Sequence, residues 1–174
     1  MTLEPKKPSR SPLFENMTLD EREQTLLMME RSTFTKDEYI LKEGKSTQAL
    51  RMIVQGECEV FKTGQNNEHL TLAKIGTGSV FGEMSFFHPA PHSASVKAIK
   101  NADILSLTKE NYDLLLEKCP ESAYKIAFGM AHVMADRLRA MDDWTENLVN
   151  KGNGEGKNEE WQDFRAKLYS FWQY

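Results

Sequence analysis

Apolar and polar residues follow a helical pattern at the start of the chain and then change to strict alternation. Thr18 and Glu21 match a capping box, and the apolar residues 26–29 follow, which predicts a short leading helix that runs to about Arg31. From Thr33 to Thr108, short stretches of alternating residues are separated by turns about every ten residues, the spacing of a sandwich or barrel. The alternating stretches are residues 39–41, 50–54, 58–60, 70–72, 94–98 and 103–107.

The pattern becomes helical again after Thr108, which is a suitable N-cap residue. A first helix is expected through Tyr112 and Leu116, until Pro120 interrupts it and takes the first position of a new helix. The next residues lack proline as far as Asn150, so the sequence predicts one long helix of about 30 residues.

Two apolar stripes follow this long helix. One recurs at alternating steps of three and four residues, which is the spacing of a coiled-coil seam, and we interpret it as a homodimer interface. The other, formed by Ile126, Met130 and Val133, is confined to the first half of the helix and is expected to pack on the β region. The alternative is that both stripes are core of a single chain. The seam residues assigned to the dimer interface are Ala127, Ala131, Met134, Leu138, Met141 and Leu148.

The segments at the two ends have a different composition. Residues 1–12 are rich in Pro, Ser, Lys and Arg and predict a flexible arm before a domain at residues 13–150. Residues 151–158 are a glycine-rich linker, and residues 159–174 regain a helical pattern with an aromatic face. That tail is expected to dock on its own domain, on its dimer mate or on another protein. Its apolar residues are Trp161, Phe164, Leu168, Phe171 and Trp172.

Composition excludes several classes of function. The net charge of −4 offers no basic surplus for nucleic acid or anionic lipid, and no stretch is apolar enough to span a membrane. Without a signal peptide, a cytoplasmic location is expected. Cys58 and Cys119 suit packing better than metal binding, the four histidines lack ligand spacing, and no nucleophile motif is present. We therefore expect neither an enzyme nor a metal site, and no required cofactor.

One motif supplies the candidate ligand-binding residues. Phe81-Gly82-Glu83-Met84-Ser85, followed by Pro91-His92-Ser93-Ala94-Ser95-Val96, resembles the phosphate-binding cassette of the cyclic-nucleotide-binding domain family. Residues 52–60 are similar to the hairpin of that family, in which a glycine turns one strand into the next. The resemblance covers residues 13–144 and implies an α+β fold. It consists of an eight-stranded β-roll, or jelly-roll barrel, with a leading helix, a helix after the barrel and a long C-terminal helix, to which the tail adds a short aromatic helix.

The resemblance also implies roles for individual residues. In the family, backbone amides of a short cassette helix point at the cyclic phosphate, and a carboxylate at the position of Glu83 binds the ribose 2′-hydroxyl. An arginine that pairs with the phosphate is replaced here by His92. The expected ligand-binding residues are Phe81, Gly82, Glu83, Met84, Ser85, His92, Ser93 and Ala94.

The replacement by His92 leaves three interpretations of the cassette. It binds cyclic AMP or cyclic GMP weakly or with pH sensitivity, it binds another ligand, or it is kept only as structure. The bulk of residues 86–89 is expected to crowd the pocket. Glu83 has an alternative role as a helix N-terminal carboxylate, and His92 has an alternative place in a solvent-facing loop.

Two functions remain open. The first is a stand-alone regulatory sensor in signalling, with weak or altered ligand binding. The second is a ligand-free interaction scaffold in a signalling or polarity complex, which presents the dimer surface and the tail. A DNA-binding helix-turn-helix unit does not fit in the residues after Asn150, and neither a kinase nor a channel is encoded.

Overall fold

The computed structural model describes residues 11–64 and 68–151, with side chains described through Asp143. Residues 1–10 of the predicted arm, the linker from residue 152, the aromatic tail and the side chain of Leu148 lie outside the described residues. The last two residues predicted for the arm are ordered instead, because Ser11 is buried and caps a 3₁₀ helix that starts at Pro12. The chain divides into two compact units between Ala131 and His132.

The described residues open with a 3₁₀ helix and continue with eight strands and four α-helices. The 3₁₀ helix is Pro12–Phe14, and its Leu13 and Phe14 are buried. The helices are α1 (Leu19–Leu27), α2 (Glu83–Phe87), α3 (Lys109–Lys118) and α4 (Pro120–Lys151). The strands are β1 (Glu30–Phe34), β2 (Tyr39–Leu41), β3 (Ala49–Gln55), β4 (Glu57–Thr63), β5 (His69–Gly76), β6 (Val80–Phe81), β7 (Ser95–Ala98) and β8 (Ala102–Thr108).

These strands form two four-stranded antiparallel sheets, with the orders β1-β8-β3-β6 and β2-β7-β4-β5. The sheets enclose a buried apolar cluster, because inward residues alternate with outward ones along each strand. Its members are Leu41, Ile53, Cys58, Phe81, Val96, Ala98, Ala102 and Ile104. The expected β-roll with helices is therefore confirmed.

The leading helix is confirmed at its start and is shorter than expected at its end. The Thr18 hydroxyl accepts from the backbone N–H of Glu21, and the Glu21 carboxylate accepts from that of Thr18. The helix ends at Leu27 rather than near Arg31, because Glu30–Phe34 pairs with β8. Leu27 is exposed, so it is not part of the expected apolar face.

Helices α3 and α4 follow the predicted breaks. Thr108 caps α3, and α4 begins at Pro120 and continues for 32 residues. Ile126 and Met130 of the second stripe are fully buried. On the same part of α4, Gly129 approaches the carbonyl oxygen of Pro12 so closely that a Cβ would lie 2.5 Å from it.

The seam of α4 has a different environment from the buried stripe. In the second unit, Met134, Leu138 and Met141 are between 38% and 46% exposed. In the first unit, Ala131 is exposed and Ala127 is half-buried. The alternative that both stripes are core of one chain is therefore wrong for the exposed members, and their role in a dimer stays a prediction.

Candidate functional site

The cassette begins where β6 turns into α2. Phe81 pairs with Arg51 of β3, and Gly82 follows with a φ of +85°, in the left-handed region. A Cβ on Gly82 would lie 2.7 Å from the carbonyl oxygen of Ala49. Both the backbone conformation and the close approach require glycine at this position.

The predicted ligand residues differ in exposure. Phe81, Glu83 and Ser85 are buried and Ala94 is half-buried, whereas Met84 and Ser93 are exposed. The Ser93 hydroxyl lies 3.8 Å from the Met84 sulfur. Glu83 is the first residue of α2 and is 3% exposed, which fits either of its predicted roles.

Two aromatic side chains anchor α2 to α3. Phe86 is fully buried, and its ring centroid lies 5.3 Å from that of Tyr112, edge to face. Phe87 is partly exposed and lies 6.2 Å from the same tyrosine ring. The two phenylalanines that were expected to crowd the pocket thus pack against α3, whereas Pro89 lines a cleft.

His92 is buried, with 5% of its surface exposed, so the alternative of a solvent-facing loop residue is wrong. Its Nε2 lies 2.7 Å from the Thr47 Oγ1, and its Nδ1 lies 3.0 Å from the Ser85 Oγ. The backbone N–H of His92 donates to the carbonyl of Lys45. Sequence could not predict this, because the contact joins residues 45 positions apart.

A second basic residue, Arg51, lies at the same place although it is not among the predicted site residues. Its Nη2 donates to the Thr47 Oγ1 at 3.3 Å, and its Nη1 donates to the carbonyl of Ala49 at 3.0 Å. A hydrogen-bonded chain therefore runs from Ser85 through His92 and Thr47 to Arg51. The available signal was the position of Arg51 in β3, where it shares a face with the core residue Ile53.

The pKa values of both basic groups lie below their ordinary values. Burial lowers the pKa of His92, and the positive charge of Arg51 lowers it further. Burial also lowers the pKa of Arg51, which stays charged at neutral pH. In the neutral ring, one nitrogen donates and the other accepts, and the hydroxyls of Thr47 and Ser85 complement either tautomer.

A cleft of about 540 Å³ opens beside this chain. It is lined by residues 46–49, Arg51, residues 89–91, Thr108 and Glu110. One wall is thus the loop between β2 and β3, and another is the loop between α2 and β7.

Other kinds of site are absent from the part of the chain that the structure describes. Within residues 11–64 and 68–151, no three potential metal ligands cluster together. None of the helices in these ranges is long and apolar enough to cross a membrane. Cys58 and Cys119 are free thiols, and burial raises the pKa of Cys58 to about 11.

The model of one protein family, described as "Cyclic nucleotide-binding domain", matches residues 31–119, about half of the chain. That range contains β2 to β8, all of β1 but its first residue, the cassette and α3. The chain belongs to the cyclic nucleotide-binding domain family. The predicted resemblance is confirmed.

Curated members of this family share part of the chain. The cyclic AMP receptor protein of Thermus thermophilus is 32% identical over 132 residues, which cover 76% of this chain and 59% of that protein. A cAMP-dependent protein kinase regulatory subunit of Mycosarcoma maydis is 32% identical over 92 residues, 53% of this chain and 17% of that protein. The matched region is therefore only part of each relative.

Solved structures of the family have the same fold. The catabolite activator protein of Thermus thermophilus is similar with a TM-score of 0.71 and 31% identity, over 79% of this chain and 63% of that chain. A cyclic nucleotide-binding domain from Methylobacillus flagellatus has a TM-score of 0.72 and 28% identity, over 81% of this chain and 78% of that chain.

Proposed function

We propose that the chain is a regulatory sensor domain that binds a cyclic nucleotide at its cassette with weak or altered affinity. Membership of the family and the similarity to a protein named for cyclic AMP reception support the ligand class. The buried hydrogen bonds of His92 to Thr47 and Ser85 carry the second part of the proposal. A histidine held in this way, with a lowered pKa, is mostly neutral at pH 7 and offers a phosphate no charge.

The missing positive charge at position 92 sets the expected loss of affinity for a cyclic nucleotide. A hydrogen bond to a charged group contributes about 1.5–3 kcal/mol, which corresponds to about one or two decades in affinity. We therefore expect cyclic AMP and cyclic GMP to bind more weakly than they would with an arginine at position 92.

The test is calorimetric titration of cyclic AMP and cyclic GMP into the unaltered protein, into His92→Arg and into His88→Arg. His88 is exposed four residues before His92, so its replacement makes the same charge change outside the buried network. We expect His92→Arg to bind at least about tenfold more tightly and His88→Arg to behave like the unaltered protein. Micromolar binding by the unaltered protein would contradict weak affinity.

A ligand-free scaffold in a signalling or polarity complex is the second candidate function. The exposed apolar side chains of Met134, Leu138 and Met141 favour it, because such surfaces mark interaction sites. We propose that these residues form a homodimer interface; the docking of the aromatic tail stays a prediction. Failure of both nucleotides to bind the unaltered protein and His92→Arg at millimolar concentration would favour the scaffold.

A further inference from the structure

Arg51 extends from the inner face of its sheet at the end that carries the cassette. It lies opposite Phe81 of β6 and opposite Ser106 of β8. Side chains opposite one another in a sheet share a face, and so do residues two positions apart in one strand. Phe81 and Ile53 belong to the cluster between the sheets, so Arg51 faces the interior of the roll.

Among the residues that the structure describes, the contacts of Arg51 leave its charge without a counter-ion. Its hydrogen bonds go to a carbonyl oxygen and a hydroxyl, and among the described residues no carboxylate forms an ion pair with it. The side chain is partly buried, where an uncompensated charge is costly. The two bonds use two of the five N–H donors of a guanidinium. An anion bound here would therefore offset the free-energy cost of partly burying the charge of Arg51.

The cleft beside Arg51 has the size and lining for such an anion. Its volume of about 540 Å³ lies within the range of small-molecule sites, about 300–1,000 Å³. The Thr47 hydroxyl and the Gln48 amide supply further polar groups. Glu110 lines the same cleft, and its negative charge disfavours a ligand with several negative charges. This lining matches a phosphodiester, which carries one negative charge, better than a phosphomonoester.

We propose that Arg51, from strand β3, is the charged partner of a phosphodiester ligand in place of an arginine at cassette position 92. For a cyclic nucleotide this inference rests on the proposed function. The Thr47 hydroxyl is within hydrogen-bond distance of His92 and also accepts from Arg51, so the two side chains share one partner.

Titration of cyclic AMP into Arg51→Gln, Arg51→Lys and Arg139→Gln tests the proposal. Arg139 is an exposed arginine of α4, so its replacement removes the same charge far from the cassette along the chain. We expect Arg51→Gln to lose at least about tenfold in affinity, Arg51→Lys to retain part of it and Arg139→Gln to bind like the unaltered protein. Equal binding by Arg51→Gln would overturn the proposal.

A second measurement avoids variants that fail to fold. In nitrogen-15-labelled unaltered protein, we expect the Nε–Hε signal of Arg51 to shift when cyclic AMP or dimethyl phosphate, a phosphodiester with one negative charge, is added. The shift should be smaller with sodium chloride at equal ionic strength. Nucleotide binding that leaves this signal unmoved would overturn the proposal.

Dimethyl phosphate separates the two proposals. If no nucleotide binds but dimethyl phosphate shifts the Arg51 signal, the proposed function fails and the anion site is supported. If neither cyclic AMP nor dimethyl phosphate shifts the signal, the anion site is overturned.

Discussion

His92 and Arg51 share the hydroxyl of Thr47, and together they carry one positive charge at neutral pH. Protonation of His92 would place a second charge beside the first in a partly buried site. Both the burial and the neighbouring charge oppose that protonation, in this order of importance. Replacement of Arg51 by a neutral residue should therefore weaken the depression of the His92 pKa.

The stability of the protein should depend on pH through His92. The pKa of His92 is lower in the folded protein than its unfolded value of about 6.5, so the unfolded chain binds more protons below that pH. The free energy of unfolding should therefore fall as pH drops from 7.5 through about 6.5 toward the folded pKa.

Urea unfolding between pH 5 and pH 8 measures this dependence. We expect His92→Gln to have a flatter pH profile than the unaltered protein, and the exposed-site variant His88→Gln to keep the original slope. Equal slopes for the unaltered protein and His92→Gln would contradict the prediction. The slope is the relevant readout, because His92→Gln also removes hydrogen bonds at every pH.

At this scale, sequence identifies residues whose role is local. The glycine and the glutamate of the cassette are recognisable because their neighbours in the chain are part of the motif. The partner of His92 was not predictable, because Thr47 reaches it from another loop. The inward direction of Arg51 was not predictable from alternation, because β3 has buried residues on both faces, and its contacts depend on where β6 pairs.

Among the elements, the 3₁₀ helix and α4 meet at Gly129. We expect Gly129→Ala to destabilise the protein by about 1–3 kcal/mol, because the new Cβ would lie 2.5 Å from the carbonyl oxygen of Pro12. The sign is opposite to that of helix propensity, which favours alanine over glycine by about 1 kcal/mol.

Ser122→Ala is the matched control on the same helix. Ser122 is buried, and its hydroxyl has no hydrogen-bond partner within the described part of the chain. Alanine there should leave stability unchanged or raise it slightly. Urea unfolding of the two variants gives the comparison, and a stabilised Gly129→Ala would show that the 3₁₀ helix moves aside without cost.

The elements themselves were largely predictable where local chemistry determines them. The Thr18 capping box, the Thr108 cap and the break at Pro120 all act within one turn of helix. The predicted end of α1 was wrong, because residues 30–34 pair with a strand about 70 positions away. That strand pairing overrides the helical pattern of the sequence.

For the whole molecule, the exposed seam of α4 leads to a prediction about oligomeric state. We expect sedimentation equilibrium at high micromolar concentration to give the mass of a dimer, because exposed apolar side chains gain free energy by burial against a second copy. Leu138→Glu should yield a monomer, since it would bury a charge in the interface.

Ala140→Glu adds the same charge to an exposed position of α4 that is not on the seam. It should stay dimeric. A monomeric mass for the unaltered protein would contradict the interface.

The order of strands in the two sheets could not be predicted from the sequence, because alternation indicates which residues share a face but not which strands are neighbours. The β-roll was predictable only through the resemblance of the cassette and the hairpin to a known family. Residues of the cassette thus identify the fold more securely than they identify its ligand.

Tyr112 connects the cassette helix α2 to the start of α4. Its ring touches Phe86 of α2, while its hydroxyl donates to the carbonyl oxygen of Ala123, near the start of α4. A displacement of α2 must either open the contact between the rings or carry Tyr112 with it, and the second response pulls on the first turns of α4. Tyr112 of α3 therefore couples the position of α2 to that of the first turns of α4.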